Sequence, residues 1–431
     1  MKSFILAALP IYAVLSLSSM AGMNIGFLIL FLALIAGFLH TRSAGVALPP
    51  PSASLSQALR EYRLWGWVLF GACVFSLFCA QLFPYSYAGH APEVTLHGYQ
   101  KIWYLICPYI VLLQFRYSLS SAGHDTALAV ETRFEKTLRV WWAALFLFAV
   151  MAVIQFFTGW PLKQPIPTNP GYYHAILLLG HHLSVSSVMI FPTFTALAIA
   201  FGSYARHRRL DRFEAFAGLA GILILFLTYA RTSWLAIPIG IILLFARNLK
   251  PKPFLASVGV LVVLLGGLSQ TPMIKERIDN SMGIRDRIRL WEANVDYFKH
   301  RPITGIGWLK TAEMSEFYFK QKDPEHYHEY FWGHAHSNFF EMLGGTGLIG
   351  LFAFLAWSWF TLKLAYRTSL RAREAGQERW SDFAWGILVA LLLLHFNGLT
   401  NVTFWEGKVM HQQMLAVGML LILQLIVREK A

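Results

Sequence analysis

Apolar runs separated by short polar stretches recur along the chain, at about 4–20, 23–39, 64–83, 101–115, 139–158, 183–203, 214–230, 233–246, 253–269, 343–364, 383–400 and 409–427. A helix needs about 20 apolar residues to cross a bilayer, with a range of about 17–25, so each run predicts a transmembrane helix. The shortest, 233–246, contains Pro238, and Pro108 and Pro192 fall inside two others. Such prolines are tolerated as kinks where neighbours satisfy the freed carbonyls. The first run, with Lys2 before it and small residues from Ser18 to Gly22, imitates a signal peptide. A second run follows at once, so the pair predicts a helical hairpin. One long hydrophilic segment, 270–342, separates the ninth run from the tenth. Within it Leu290, Trp291, Val295 and Phe298 lie near helical spacing, predicting an amphipathic helix over Ile288 to His300 that ends at Pro302, Gly305 and Gly307. The pattern predicts an all-α polytopic membrane protein of about 12 transmembrane helices with one large helical cap. Its parts are 1–269 with nine spans, 270–342 as the outer segment, and 343–431 with three spans.

Composition narrows the class. Of the 431 residues 56% are hydrophobic and 14% charged, with a mean hydropathy of +0.49, against about 25% charged in a soluble domain. This excludes a soluble globular enzyme, a disordered chain and a coiled coil. Cys73, Cys79 and Cys107 all lie in apolar runs and form no disulfide framework.

The net charge of +13 then has to be located, because an Arg or Lys at mid-bilayer costs at least about 2.5–3.5 kcal/mol. With both termini cytoplasmic, 22 of the 36 Lys and Arg fall in cytoplasmic loops, as the positive-inside bias requires. Ten lie in 270–342. Lys101, Lys163 and Lys408 are isolated and set aside, which leaves Arg231 as the one notable cation in a short outer turn. The basic balance is therefore an orientation signal and no sign of nucleic acid.

Three groups of residues carry candidate chemistry. Arg231, in Thr228-Tyr-Ala-Arg231-Thr-Ser-Trp234, stands between two spans with no acid nearby in sequence, which points to an anion. Arg285, Arg287 and Arg289 follow at i, i+2 and i+4. On a helix Arg285 and Arg289 share a face and Arg287 points away from them. Arg suits bidentate recognition of phosphate, and a solvated helix balanced by Asp286 and Glu292 is the equal alternative. His334-Ala-His336-Ser-Asn338, with Glu341, Gly347 and Gly350 beyond, stands where the outer segment meets the tenth span, and His336 is a candidate base near neutral pH. The pairs His326-Tyr-His328 and His334-Ala-His336 are a weak metal signal without cysteine or a spaced carboxylate, so neither a metal nor a cofactor is expected.

At these residues the chain resembles the O-antigen ligase family, which shares a superfamily with O-antigen polymerases. Four patterns carry the resemblance: Thr228 to Trp234; Arg287-Ile-Arg-Leu-Trp291 with Pro302-Ile-Thr-Gly305-Ile-Gly307; Ala335-His336-Ser-Asn338 with Glu341; and, more weakly, Gly180-His-His182-Leu-Ser. Two departures stand out. Ser337 follows His336 where the family usually has Asn, and three arginines compete for one motif position, Arg287 having the right distance to Trp291.

The resemblance implies a GT-C-like, inverting and metal-independent glycosyltransferase in the bacterial inner membrane with a periplasmic active site. It would move a glycan from undecaprenyl pyrophosphate to a sugar hydroxyl of lipid A–core. It implies catalytic roles for His336, Arg231 and Arg287, and substrate binding by Arg285, Arg289, His334, Asn338, Glu341 and His182. The partners are the undecaprenyl-pyrophosphate-linked donor, the lipid A–core acceptor and membrane lipids. An O-antigen polymerase and a protein O-oligosaccharyltransferase are close alternatives. A secondary transporter is a distant one, since it calls for ionisable sites near mid-bilayer and two similar halves.

Overall fold

The computed structural model describes residues 1–46, 48–93, 99, 101–122, 127–167, 169–247 and 282–427, with isolated positions between 252 and 267. Among these residues there are 13 α-helices. In chain order they are α1 (Lys2–Leu15), α2 (Met20–Ser43), α3 (Ala53–Leu82), α4 (Cys107–Ala122), α5 (Ala127–Thr158), α6 (His182–His207) and α7 (Arg212–Leu227). Then follow α8 (Arg231–Ala246), α9 (Met282–His300), α10 (Thr311–Lys322), α11 (Asn338–Glu374), α12 (Glu378–Asn397) and α13 (Gly407–Ile426).

Seven of them, α2, α3, α5, α6, α11, α12 and α13, are long and apolar enough to cross a membrane. The chain is a polytopic helical membrane protein. The expected count of twelve is met only in part: α1 and α8 are apolar but shorter, α4 and α7 have 16 residues each, and the ninth expected span, 253–269, lies outside the described residues except at isolated positions, with 270–281 wholly outside them. Pro108 is not a mid-span kink. A 3-10 turn, Lys101–Ile106, precedes α4, and Pro108 sits in the first turn of that helix, where a missing N–H leaves nothing unsatisfied. Pro192 and Pro238 are inside α6 and α8 as expected.

The centre of the bundle is α6 and α13, both almost wholly buried, with α12 beside them; α2 lies on the outside. Small residues permit this closeness, as between membrane helices generally. A Cβ on Gly386 of α12 would lie 2.7 Å from the Cα of Thr195 on α6. Polar bonds add to it: Trp142 Nε1–H donates to Thr195 Oγ1 at 3.1 Å, and Tyr12 Oη lies 2.9 Å from His411 Nδ1. At one end of the bundle the basic loops find acids. Arg379 binds Glu135 and Glu214, each at 2.6 Å, while Arg206 and Arg247 bracket Asp382 at 2.6 and 3.2 Å.

The other end carries the cap. There α9 and α10 enclose a small core of Leu290, Ala293, Tyr297, Met314, Tyr318 and Phe319, joined by Tyr87 and Ile306. The amphipathic helix predicted from Ile288 begins earlier, at Met282, and ends at His300 as predicted.

The cap is fastened by a break in α11. Gly347 has φ +64°, which interrupts the helix and frees backbone groups on both sides. The 302–307 turn takes them up. Ile306 and Gly307 N–H donate to the carbonyls of Gly344 and Gly345 at 3.1 and 2.9 Å, and Leu348 N–H donates to Pro302 O at 2.9 Å. A Cβ on Gly347 would meet the Ile303 carbonyl carbon at 2.5 Å. Gly347→Ala is therefore predicted to lower stability by more than the ~1–3 kcal/mol of left-handed strain alone. Gly45→Ala is the control, since Gly45 has φ +65° with nothing within 4 Å. Thermal unfolding in detergent measures both; equal losses would show that the turn does not press on the break.

Candidate functional site

The site is built where three connections at the cap end converge: the Gly159–His182 loop, the turn between α7 and α8, and the stretch before α11. The α7–α8 turn is held first. Tyr229 adopts φ +55°, and Thr228 closes the turn by donating its hydroxyl to Leu225 O at 2.6 Å and accepting from Ala230 N–H at 3.3 Å. His174 reaches in from the loop, its Nδ1 bonded to Thr228 O at 2.7 Å, and its ring stacks on His182 at 4.2 Å. Arg231 follows as the first residue of α8 and is exposed. The free amides of a helix start favour an anion at the same place.

Arg287 comes from α9, half-buried. Burial lowers its pKa and the Arg231 guanidinium lowers it further. Both remain protonated at physiological pH, and an anion bound between them would offset both the burial of Arg287 and its repulsion from Arg231. The triplet is thereby divided. Arg289 instead stacks on Tyr330, 4.1 Å from the ring centroid, and pairs with Asp286 at 3.8 Å, while Arg285 is exposed.

The residues before α11 form a braced loop. Trp291 Nε1–H donates to Ala335 O at 2.8 Å, and Ala335 N–H donates to Glu341 Oε2 at 2.9 Å. The other Glu341 oxygen accepts from the Thr311 hydroxyl. Glu341, with both oxygens taken and buried, acts as a brace. Asn338 is likewise engaged: its Oδ1 accepts from the N–H groups of Thr403 and Phe404 at 2.8 and 3.0 Å, and its Nδ2 donates to Thr403 Oγ1 at 2.8 Å. It ties the start of α11 to the loop before α13.

Within that bracing His336 sits at φ +47°, a left-handed conformation costing ~1–3 kcal/mol for a non-glycine residue. Its N–H donates to His334 Nδ1 at 3.2 Å, and the two rings are 4.3 Å apart. Its own Nδ1 is buried and has no hydrogen-bond partner among the described residues. Burial, then the neighbouring His334, Arg287 and His181, push the His336 pKa down to about 3. The ring is thus a neutral imidazole, able to accept a proton, at every physiological pH. His334 is also lowered, by burial first and by Arg287 and Lys101, against the pull of Glu341.

Several residues reach this centre that the sequence did not single out. Lys101 and Lys408, set aside as isolated, belong to its field. Lys101 acts on Glu341, Glu406 and His334, and Lys408 on Glu406 and His181. Glu406 is half-buried, accepts from the Ser184 hydroxyl, and has its pKa raised by desolvation. Their distance along the chain hid them. The available signal was the one used for Arg231, positive charge on the side where it is disfavoured. His182 has Nδ1 3.2 Å from Gln164 Oε1 and its ring between His174 and His181. His326 is engaged by Asp323 at 3.1 Å. Among the described residues no three His, Cys, Asp or Glu are grouped to hold a metal ion.

Arg231 and Arg287 thus lie on one side of His334 and His336, and Lys101 and Lys408, facing Glu406, add further positive charge, an arrangement suited to an anionic group beside a proton acceptor. Among curated proteins the chain has no match. Residues 216–355 match the family model described as O-Antigen ligase, from α7 through the cap into the broken helix α11. This stretch holds every sequence-predicted site residue except His182. Over that stretch, about a third of the chain, the sequence is similar to the O-antigen ligase family, and the match supports assignment to it.

Proposed function

We propose that this protein is an inverting, metal-independent glycosyltransferase of the bacterial inner membrane, working at the periplasmic face with both termini in the cytoplasm. It transfers O-antigen polysaccharide from undecaprenyl pyrophosphate to a sugar hydroxyl of lipid A–core. The observation that carries the reading is that Arg287 lies near enough to act on His336 and to be acted on by Arg231, while His336 Nδ1 is buried with no hydrogen-bond partner among the described residues.

In this reading the pyrophosphate lies against Arg231 and Arg287. Their charges are preorganised for the negative charge that grows as the glycosidic C–O bond breaks. The acceptor hydroxyl attacks from the opposite face, and His336 takes its proton. The leaving pyrophosphate needs no proton. Glu341, Trp291 and Asn338 hold the histidine loop, and Lys101 and Lys408 add to the field. Arg285, Arg289, His334 and His182 are assigned to substrate binding around this centre. The segment 270–342 acts as the catalytic part between the two groups of spans, 1–269 and 343–431.

A strain lacking the protein tests the reading. Undecaprenyl-linked polymer beside unmodified core supports the ligase. Cores carrying a single repeat unit support an O-antigen polymerase instead, and normal lipopolysaccharide would sink both.

The acid side of the pH profile is a second test. Since His336 is lowered to about 3, it stays an unprotonated base as pH falls through the ordinary histidine range near about 6.5. The acid limb of kcat/KM, which reports the free enzyme, lies below about pH 5. Bound pyrophosphate offsets the positive field and raises the histidine pKa, so the limb of kcat lies at higher pH than that of kcat/KM. Both limbs coinciding near pH 6.5 would contradict this account of the site.

A further inference from the structure

A cleft of about 450 Å³ opens in the cap on the flank of α9 next to the candidate centre. Its wall is apolar and mostly aromatic, with Ile288 and Val295 beside the rings. Trp291 and Phe340 stack with ring centroids 5.0 Å apart and planes 14° apart, and Tyr318 lies beside them. Its rim is mixed in charge: Glu292 and Asp296 from α9, Lys299 from the end of that helix and Lys322 from α10. The volume is that of a small-molecule site, about 300–1,000 Å³.

This lining selects among ligand classes. Two carboxylates and two ammonium groups sum to no net charge, so the cleft has no preference for a phosphate or a metal ion. Four charges on the rim make it a poor seat for a hydrocarbon chain. A neutral sugar ring meets both demands at once. Its apolar C–H face covers the flat aromatic wall, while its hydroxyls donate to carboxylates and accept from ammonium groups.

The position links the cleft to the transfer chemistry. Trp291 forms its wall and also bonds the carbonyl of Ala335, the residue before His336. Phe340, on the same wall, directly precedes Glu341, which braces the other side of Ala335. A glycan seated here would lie one residue from the loop that carries the proposed base.

We propose that this cleft is a glycan subsite that holds neutral sugar rings of one of the two substrates, an assignment that rests on the transfer reading above. The test uses the full chain purified in detergent and two probes without lipid: core oligosaccharide released from lipopolysaccharide by mild acid, and O-polysaccharide prepared the same way. Saturation-transfer NMR reads binding directly. The wild type binds one probe, and Val295→Arg, which drives a long side chain into the cleft, and Glu292→Ala each weaken that binding at least five-fold. Binding of the core probe places the acceptor in the cleft; binding of the O-polysaccharide places the donor glycan there. The subsite is overturned if neither probe binds, or if Val295→Arg binds as the wild type does with an unaltered thermal midpoint. Sugar binding that persists in a protein whose deletion leaves lipopolysaccharide normal would refute the transfer reading and leave the subsite standing.

Discussion

Replacing His336 by alanine lowers kcat for glycan transfer by about 10²–10⁴-fold, the range typical of a lost general base, with little change in membrane insertion or thermal midpoint. The side chain gives the fold ring contacts with His334 and Phe331 but no hydrogen bond at Nδ1 among the described residues, and its backbone N–H, which bonds His334, survives the substitution. Alanine keeps the Cβ that makes φ +47° costly, so the substitution brings no relief of backbone strain. The measurement is initial-rate transfer in proteoliposomes with lipid-linked donor and lipid A–core. An unchanged kcat would remove His336 from the mechanism. A fall in kcat accompanied by an equal loss of folded protein would assign it a structural role instead.

Arg287→Ala and Arg231→Ala are each predicted to lower kcat by about 10²–10³-fold, or ~2.7–4 kcal/mol of transition-state stabilisation, as for other preorganised groups facing a developing charge. Arg285→Ala and Arg289→Ala are predicted to change kcat no more than a few-fold. The contrast is the useful part, since all four substitutions remove the same charge and three lie within five residues of one another. Arg287 shares a field with Arg231 and the histidines, whereas Arg289 is committed to Tyr330 and Asp286. Arg287→Lys should retain part of the activity, keeping the charge and losing the bidentate fork. Four variants equally impaired would mean that the helix attracts substrate by net charge alone. Because Arg231 and Arg287 act on one group, the double variant should lose less than the product of the single losses.

The bundle was largely legible before the structure, for a reason specific to membranes. The bilayer demands long apolar helices, and seven predicted spans reappear as helices of that kind. The amphipathic stretch from Ile288 was visible because burying one face of a helix leaves a period in the sequence. Shorter elements were harder. The run at 101–115 divides into a 3-10 turn and a helix, its first six residues closing a turn against α13 rather than extending a span.

The candidate site was legible in part. Arg231 stood out because it violates a charge rule, and His336 because of its neighbours. Lys101 and Lys408 violate the same rule less visibly, and nothing along the chain marks Glu406. The roles of Glu341 and Asn338 could not be read at all. Both look like polar groups available for substrate, yet each is spent on backbone several residues or a whole helix away.

Hydrophobic run length and loop charge, local quantities set by the cost of placing polar groups in lipid, were enough to establish a polytopic helical membrane protein. They also sorted most of its arginines and lysines into loops with no chemistry to explain. Which of three neighbouring arginines meets Arg231, and which carboxylate braces a loop rather than facing it, depend on contacts between segments tens to hundreds of residues apart. Charge interactions and hydrogen bonds act over a few ångströms in space and carry no trace of that separation along the chain. Only the folded packing of α9, the α7–α8 turn and the broken helix α11 decides them.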